Sequence, residues 1–204
     1  MNQGSSWTKS RSRPTNSEVN PFRIRELPIL GDREIQGLSN VLIDCVEGGA
    51  SVSFMLPFSR AKAEAFWRGV SESVARGERL VYVAEDAAGT FVGTATVILN
   101  LPENQPHRAD VAKMLVHRNA RRMGLGAALL AAAERGALGA GKTLLVLDTV
   151  SDSDGHRLYA RQGWQRCGEI PGYALWPDGR PCAATIFFKS LKPSSGVTPS
   201  FQSG

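Results

Sequence analysis

Arg121-Arg122-Met123-Gly124-Leu125-Gly126 sets two cations beside two glycines, between an apolar strand-like segment (109–116) and an apolar helical one (124–138). Glycines at such a junction let consecutive backbone N–H groups turn toward one point, and the helix N-terminus adds a favourable dipole. That suits a pyrophosphate, with the arginines close to its oxygens. It is not a dinucleotide fingerprint, because Leu129 stands at the third glycine position. The plainer alternative is a glycine-rich turn that only opens a buried helix.

A second stretch, Gly136-Ala137-Leu138-Gly139-Ala140-Gly141-Lys142-Thr143, matches the phosphate-binding loop of NTPases letter for letter, and an apolar run ending in Asp148 follows it. The order of elements argues against that chemistry. A phosphate loop must follow a strand and open a helix, because the helix N-terminus supplies the anion site. Here a helix precedes the loop and a strand, 144–148, follows it, so the pattern predicts a helix-ending turn. In a third stretch, Asp152-Ser153-Asp154-Gly155-His156-Arg157-Leu158-Tyr159, Asp152 or Ser151 can cap a short helix with Tyr159 near its end. Tyr159 reads first as packing. Beside a reactive thioester, its phenol could instead protonate a departing thiolate.

Apolar periodicity predicts the elements that must position these residues. Strands are expected at 22–27, 80–85, 90–99, 109–116, 144–148, 164–170 and 183–189, and helices over 31–47, 59–76, 124–138 and 153–161. The order is mixed α/β. Residues 1–20, rich in Ser, Asn and basic side chains, and residues 193–204 read as disordered tails around one domain at 21–192.

A content of 42% hydrophobic and 21% charged residues predicts a globular core rather than wholesale disorder. No apolar run approaches the ~18 residues of a membrane span, and none follows the basic Lys9, Arg11 and Arg13 as a secretory signal would require. The net charge of +5 comes without a clustered basic face interleaved with aromatics, so no nucleic-acid partner is expected. Cys45, Cys167 and Cys182 are scattered and odd in number. They predict buried hydrophobes in a reducing, cytoplasmic setting rather than a disulfide or zinc framework. His107, His117 and His156 lack metal-ligand spacing, so no metal is expected.

Taken together, the strand 109–116, Arg121-x-x-Gly124-x-Gly126 opening a helix, the strand 144–148, and Leu158-Tyr159-x-x-x-Gly163-Trp164 resemble the GNAT superfamily of N-acetyltransferases. The likeness spans nearly the whole folded unit. Within the superfamily the chain looks most like the tabtoxin resistance acetyltransferases. That similarity rests on Gly48-Gly49-Ala50-Ser51-Val52-Ser53-Phe54-Met55, and on Gly168-Glu169-Ile170-Pro171-Gly172-Tyr173 leading to Pro177-Asp178-Gly179-Arg180. The chain departs from the superfamily pattern at Arg118, Arg122 and Asp152, where Pro, Gly and Asn are common.

The resemblance implies a GNAT-like fold, a mostly antiparallel twisted sheet of about seven strands with helices on both faces. It also implies acetyl transfer from acetyl-CoA, as co-substrate, to a primary amine. The pyrophosphate would lie against Arg121, Arg122, Met123, Gly124, Leu125, Gly126 and Ala127. The pantetheine arm would lie along the backbone of Met114, Leu115 and Val116 and against Asp152, with a strand N–H polarising the thioester carbonyl. Tyr159 resembles the family's general acid. Asp110 and Asp148 are candidates for accepting the amine's proton; the equal alternative is that Asp110 binds the ammonium as a counter-ion while Asp148 caps or bonds locally. An ordinary Asp pKa of ~3.9 is low for a base, so burial would help. The expected acceptor is a small molecule such as a tabtoxin-like β-lactam amino acid, a toxin- or antibiotic-resistance activity. Arg180 or the amides of Gly48 and Gly49 would meet its carboxylate. A peptide or protein N-acetyltransferase and a non-catalytic acyl-CoA-binding regulator are the alternatives, and both monomer and homodimer stay open.

Overall fold

In the chain's computed structural model, described over residues 22–192, a strand β1 (Arg23–Glu26) leads into two helices, α1 (Asp32–Glu47) and α2 (Arg60–Ala75). The expected tails at 1–20 and 193–204 lie outside the described residues. Helix α1 forms because Ile35, Leu38, Val41, Leu42, Cys45 and Val46 recur at helical spacing and are all buried. It ends at Gly48-Gly49, where Gly49 takes φ +84°. The Ser59 hydroxyl caps α2 by accepting from the Lys62 N–H at 3.2 Å.

A hairpin of β2 (Arg79–Glu85) and β3 (Phe91–Ile98) follows, then β4 (Arg108–Val116), helix α3 (Leu125–Gly139), β5 (Leu144–Val150), helix α4 (Asp154–Arg161), β6 (Gln165–Leu175) and β7 (Pro181–Ser190). The seven strands form one sheet in the order β1-β2-β3-β4-β5-β7-β6. Only β4 and β5 pair in parallel; every other neighbouring pair is antiparallel. One core packs α3 and α4 against one face through Leu125, Leu129, Leu130, Ala133 and Tyr159. The other packs α1 and α2 against the opposite face through Leu38, Leu42, Trp67 and Val81. This is the expected mixed α/β architecture, with helices on both faces.

Two departures from simple strand pairing shape the centre of the sheet. The pairing of β4 with β5 covers only Arg108–Leu144, Ala109–Leu145 and Asp110–Val146, after which the strands part. Strand β4 also bulges. Thr96 pairs with Ala112 and Thr94 with Leu115, so Lys113 and Met114 together oppose Ala95. Lys113 takes φ +49°, and the Ala112 carbonyl accepts the Thr96 hydroxyl at 2.8 Å.

The NTPase-like stretch is the C-terminal turn of α3. Gly141 takes φ +77°, and the Lys142 ammonium is bound by the carbonyls of Leu99 at 3.1 Å and Pro106 at 2.8 Å. That lysine holds loops together. Strand β6 runs past its expected end at 170, because a bulge between Ile170 and Ala174 absorbs Pro171-Gly172-Tyr173 at the sheet edge. Cys167 corrects the expectation of burial for all three cysteines. It lies on this edge strand and is exposed, whereas Cys45 and Cys182 are buried. No described helix is long and apolar enough to cross a membrane.

Candidate active site

A cavity of about 630 Å³ opens where β4 and β5 part. Its walls are the backbone of Met114, Leu115 and Val116 on one side, Thr149 and Val150 on the other, the first turn of α3, one side of α4, and residues 48–52. The opening follows from the sheet itself. A parallel pair that separates after three residues leaves the rest of each facing edge without a strand partner.

At one end lies the loop before α3. Among the described residues no backbone acceptor meets the N–H groups of residues 122–127. The last three belong to the first helical turn, which has no acceptors of its own. Arg122 and Gly124 take φ +61° and +77°, a path that gathers successive N–H groups into an anion-binding concavity. Glycine suits Gly124 for that reason; Arg122 holds the same conformation at a steric cost. Gly126 serves packing, since a Cβ there would stand 3.1 Å from Leu158 Cδ2 of α4.

The cavity brings together Met114, Leu115, Val116, Arg121, Arg122, Gly124, Leu125, Gly126, Ala127 and Tyr159. Met123 is 52% exposed and lies outside its lining. So does Asp152, which takes φ +60° in the turn before α4 and gives its N–H to His156 Nδ1 at 3.2 Å. The cap of α4 is Ser153, accepting from the His156 N–H at 3.1 Å, rather than Asp152 or Ser151. Asp110 and Asp148 also fall outside the lining, on the inner flank of the opening, with Asp148 next to the lining residue Thr149.

Tyr159 is buried, with its ring centroid 5.7 Å from Trp164 and 6.0 Å from Phe187. Burial first, then the charge of Asp148, pushes its pKa well up, so the phenol keeps its proton throughout the neutral range. Asp110 accepts from Arg108 Nη2 at 3.0 Å through Oδ2, while Oδ1 is buried without a partner. Burial raises its pKa, Asp148 adds to the rise, and Arg108 opposes it.

Several residues at the site carried no sequence signal that singled them out. Arg157 and Arg161, one helical turn apart on α4, line the cavity, and that spacing could have shown them on one face. Lys113 reaches the inner flank only through the bulge. Its ammonium donates to Ser53 Oγ at 3.1 Å and sits 5.8 Å and 5.5 Å from the ring centroids of Phe54 and Phe66. Burial lowers its pKa, helped by Arg79 and opposed by Asp148. The two loops at 48–57 and 171–181 meet each other. Ser51 Oγ donates to the Leu175 carbonyl at 2.7 Å and the Leu56 N–H to the Pro177 carbonyl at 2.9 Å. Arg180 does not face the cavity; its guanidinium is held by Asp178 at 2.8 Å on an exposed turn.

Asp44 fixes the segment leading into α3 to α1. Its carboxylate accepts from the Arg118 N–H and from Arg118 Nε, each at 2.8 Å, with His117 Nε2 at 3.4 Å. Burial works to raise its pKa, but these donors and charges outweigh it and hold the carboxyl below its ordinary value. A depressed folded pKa means that the link stabilises the fold above the unfolded value of ~3.9 and is lost as pH falls through the folded one. Asp44→Asn is therefore expected to cost about 2 kcal/mol at pH 7, with the gap to the parent protein closing in acid. Thermal melts at neutral and acidic pH check this, and equal melting at pH 7 would show that the link contributes nothing.

The sequence of residues 51–164, more than half of the chain, matches the acetyltransferase (GNAT) family. The chain belongs to that family, whose acetyltransferases use acetyl-CoA. Among solved structures, it is similar to yncA from Salmonella typhimurium, determined with its cofactor acetyl-CoA. That match has 18% identity and a TM-score of 0.70, over 87% of this chain and 98% of that one. It is also similar to a candidate phosphinothricin N-acetyltransferase, at 20% identity and TM-score 0.69 over 84% and 99% of the two chains. A third is the ribosomal-protein-alanine N-acetyltransferase of Brucella melitensis, at 23% identity and TM-score 0.69 over 83% and 99%.

Proposed function

We propose that this acetyltransferase transfers the acetyl group of acetyl-CoA to the amine of a small, amino-acid-like molecule. The observation that carries the reading is the run of unpartnered N–H groups at 122–127, opening onto the slot where β4 leaves β5. Those donors, with Arg121 and Arg122, fit a pyrophosphate, and the edge at Met114, Leu115 and Val116 that β5 leaves, where the Val116 carbonyl already accepts from Arg121 Nε at 3.1 Å, fits the amides of an extended pantetheine arm. Bound there, acetyl-CoA supplies an acyl group activated as a thioester. The protein's own part is positioning and proton handling. Asp110 takes the proton of the attacking amine at its carboxylate, alone or shared with Asp148, and Tyr159 Oη holds the proton given to the leaving sulfur. The likeness of the 48–55 and 168–180 stretches to tabtoxin resistance acetyltransferases supports a β-lactam amino acid as acceptor and a role in toxin resistance. The hydrogen bonds joining those two loops favour a small molecule over a peptide. Three free cysteines support a reducing, cytoplasmic setting.

A thiol-release screen over amino acids, β-lactam amino acids, polyamines, aminoglycosides and peptides with free N-termini tests this reading. Small amino-acid-like amines are expected to turn over best. Asp110→Asn is expected to lower amine turnover by about 10²-fold or more without changing acetyl-CoA affinity. It should not lower Tm at pH 7. A folded pKa above the unfolded one makes the charged carboxylate the disfavoured form there, with stability rising as pH falls. Peptides outcompeting every small amine, or full activity in both Asp110→Asn and Asp148→Asn, would overturn the assignment.

A further inference from the structure

On the sheet face toward α2, two cations stand together, and neither forms a close ion pair among the described residues; Glu78 and Asp148 act on them only at longer range. Arg79 opens β2, and the pairing Arg79–Ile98 and Ile98–Asp110 sets it in one row with Asp110 across three strands. Directly opposed residues share a face, and Val81, two positions on, packs into the core under α1 and α2. The Arg79 guanidinium forms no ion pair among the described residues, and its Nε is buried without a partner. Lys113 comes to the same face through the β4 bulge. Regular alternation would turn it toward α3, yet it contacts Ser53, Phe54 and Phe66 on the α2 side. Among the described residues its one side-chain hydrogen bond is to a neutral hydroxyl, and the two rings do not cancel its charge. Lys113 and Arg79 lie within electrostatic reach of each other, and Lys113 within reach of Asp148.

Asp110 and Asp148 share this face, since Asp110 pairs with Val146 and Asp148 follows two residues on. Asp110 leans on Arg108, with Oδ1 unpartnered. Lys113, Asp148 and Ser53 are each the chain neighbour of a residue lining the cavity, namely Met114, Thr149 and Val52. The inner end of the cavity is thus flanked by two cations without a close ion pair among the described residues and by two carboxylates with acceptor capacity to spare. Unpaired like charges drawn together lower stability and gain nothing unless an anion sits between them.

We infer that Lys113 and Arg79 form an anion-binding wall of the acceptor site, so that the acceptor is a zwitterion, its amine meeting Asp110 and Asp148 and its carboxylate meeting Lys113 and Arg79. This rests on the acetyl-transfer reading above and adds the residues that choose the substrate. Lys113 and Arg79 are specificity-determining; the reacting atoms are handled elsewhere.

The test compares L-amino acids with their α-amides and decarboxylated amines, using the full chain as parent, Lys113→Met and Arg79→Gln. The parent is expected to favour the acids in kcat/KM by about 10- to 100-fold, the span of one or two charge-assisted hydrogen bonds. Each variant should shrink that preference by raising KM for the acids. Neither should change kcat/KM for the decarboxylated amines or KM for acetyl-CoA. Lys113→Met should melt no lower than the parent, because it removes a cation that burial disfavours. A parent that acetylates amines with no preference for the acids overturns this inference and leaves acetyl transfer standing. Equal losses on acids and amines in both variants also overturn it, by showing a structural role. If the parent acetylates no amine at all, the functional reading fails, and calorimetry of the same amino acids against the CoA-loaded protein decides the wall by itself. Binding of the acids that Lys113→Met abolishes supports it, and no binding, or binding the variant keeps, overturns it.

Discussion

Tyr159→Phe is expected to lower kcat by about 10²- to 10⁴-fold, the usual contribution of general acid catalysis, with acetyl-CoA affinity and Tm unchanged. The substitution removes one oxygen and keeps the ring, whose contacts with Trp164 and Phe187 hold α4 against the sheet. Because burial holds the phenol protonated far above neutrality, loss of the acid should not shape the rate of the parent enzyme anywhere between pH 6 and pH 9. Single-turnover rates measured across that range check both statements. A drop below threefold would leave Tyr159 a packing residue only.

Gly124→Asp is expected to weaken acetyl-CoA binding by about 10²-fold or more. A carboxylate set among the unpartnered N–H groups of 122–127 would meet a bound pyrophosphate as a like charge at close range, worth a few kcal/mol at the effective dielectric of a protein surface. The space around Gly124 is open, with no atom within 4 Å of an added Cβ, so the fold itself has room for the change. Its φ of +77° still penalises most side chains, and Gly124→Asn is the control. Asparagine tolerates the left-handed conformation, matches aspartate in size and carries no charge. Calorimetry should find most of the affinity kept in the Asn variant and lost in the Asp variant. Equal affinity of Gly124→Asp and the parent protein would remove the phosphate site from residues 122–127.

Much of this protein was legible along the chain because its signals are local. Apolar spacing of Ile35, Leu38 and Leu42 marks α1, and the glycines at 124 and 126 mark the junction where amides are left without acceptors. Helix before loop and strand after it were enough to set aside the NTPase-like stretch, whose lysine binds carbonyls. The resemblance carried in 109–164 brought the family and its use of acetyl-CoA with it. What the chain could not show depends on contacts between distant segments. No strand pattern reveals that β4 and β5 part after Asp110, nor that a bulge turns Lys113 to the side of α2. A one-residue irregularity reverses the facing of everything beyond it, and it is fixed by pairing with β3 and by the hydroxyl of Thr96. Arg180, drawn by sequence toward the substrate, is claimed by its near neighbour Asp178. Arg79, lying thirty-four positions before Lys113 in the chain, comes within electrostatic reach of it instead. The sequence by itself determined the elements, the family and the glycine-rich junction before α3, because each is written in residues within a helical turn or two of one another. The tertiary structure alone decided which charges share the α2 side of the sheet, because the side a strand residue faces is settled by register across the sheet.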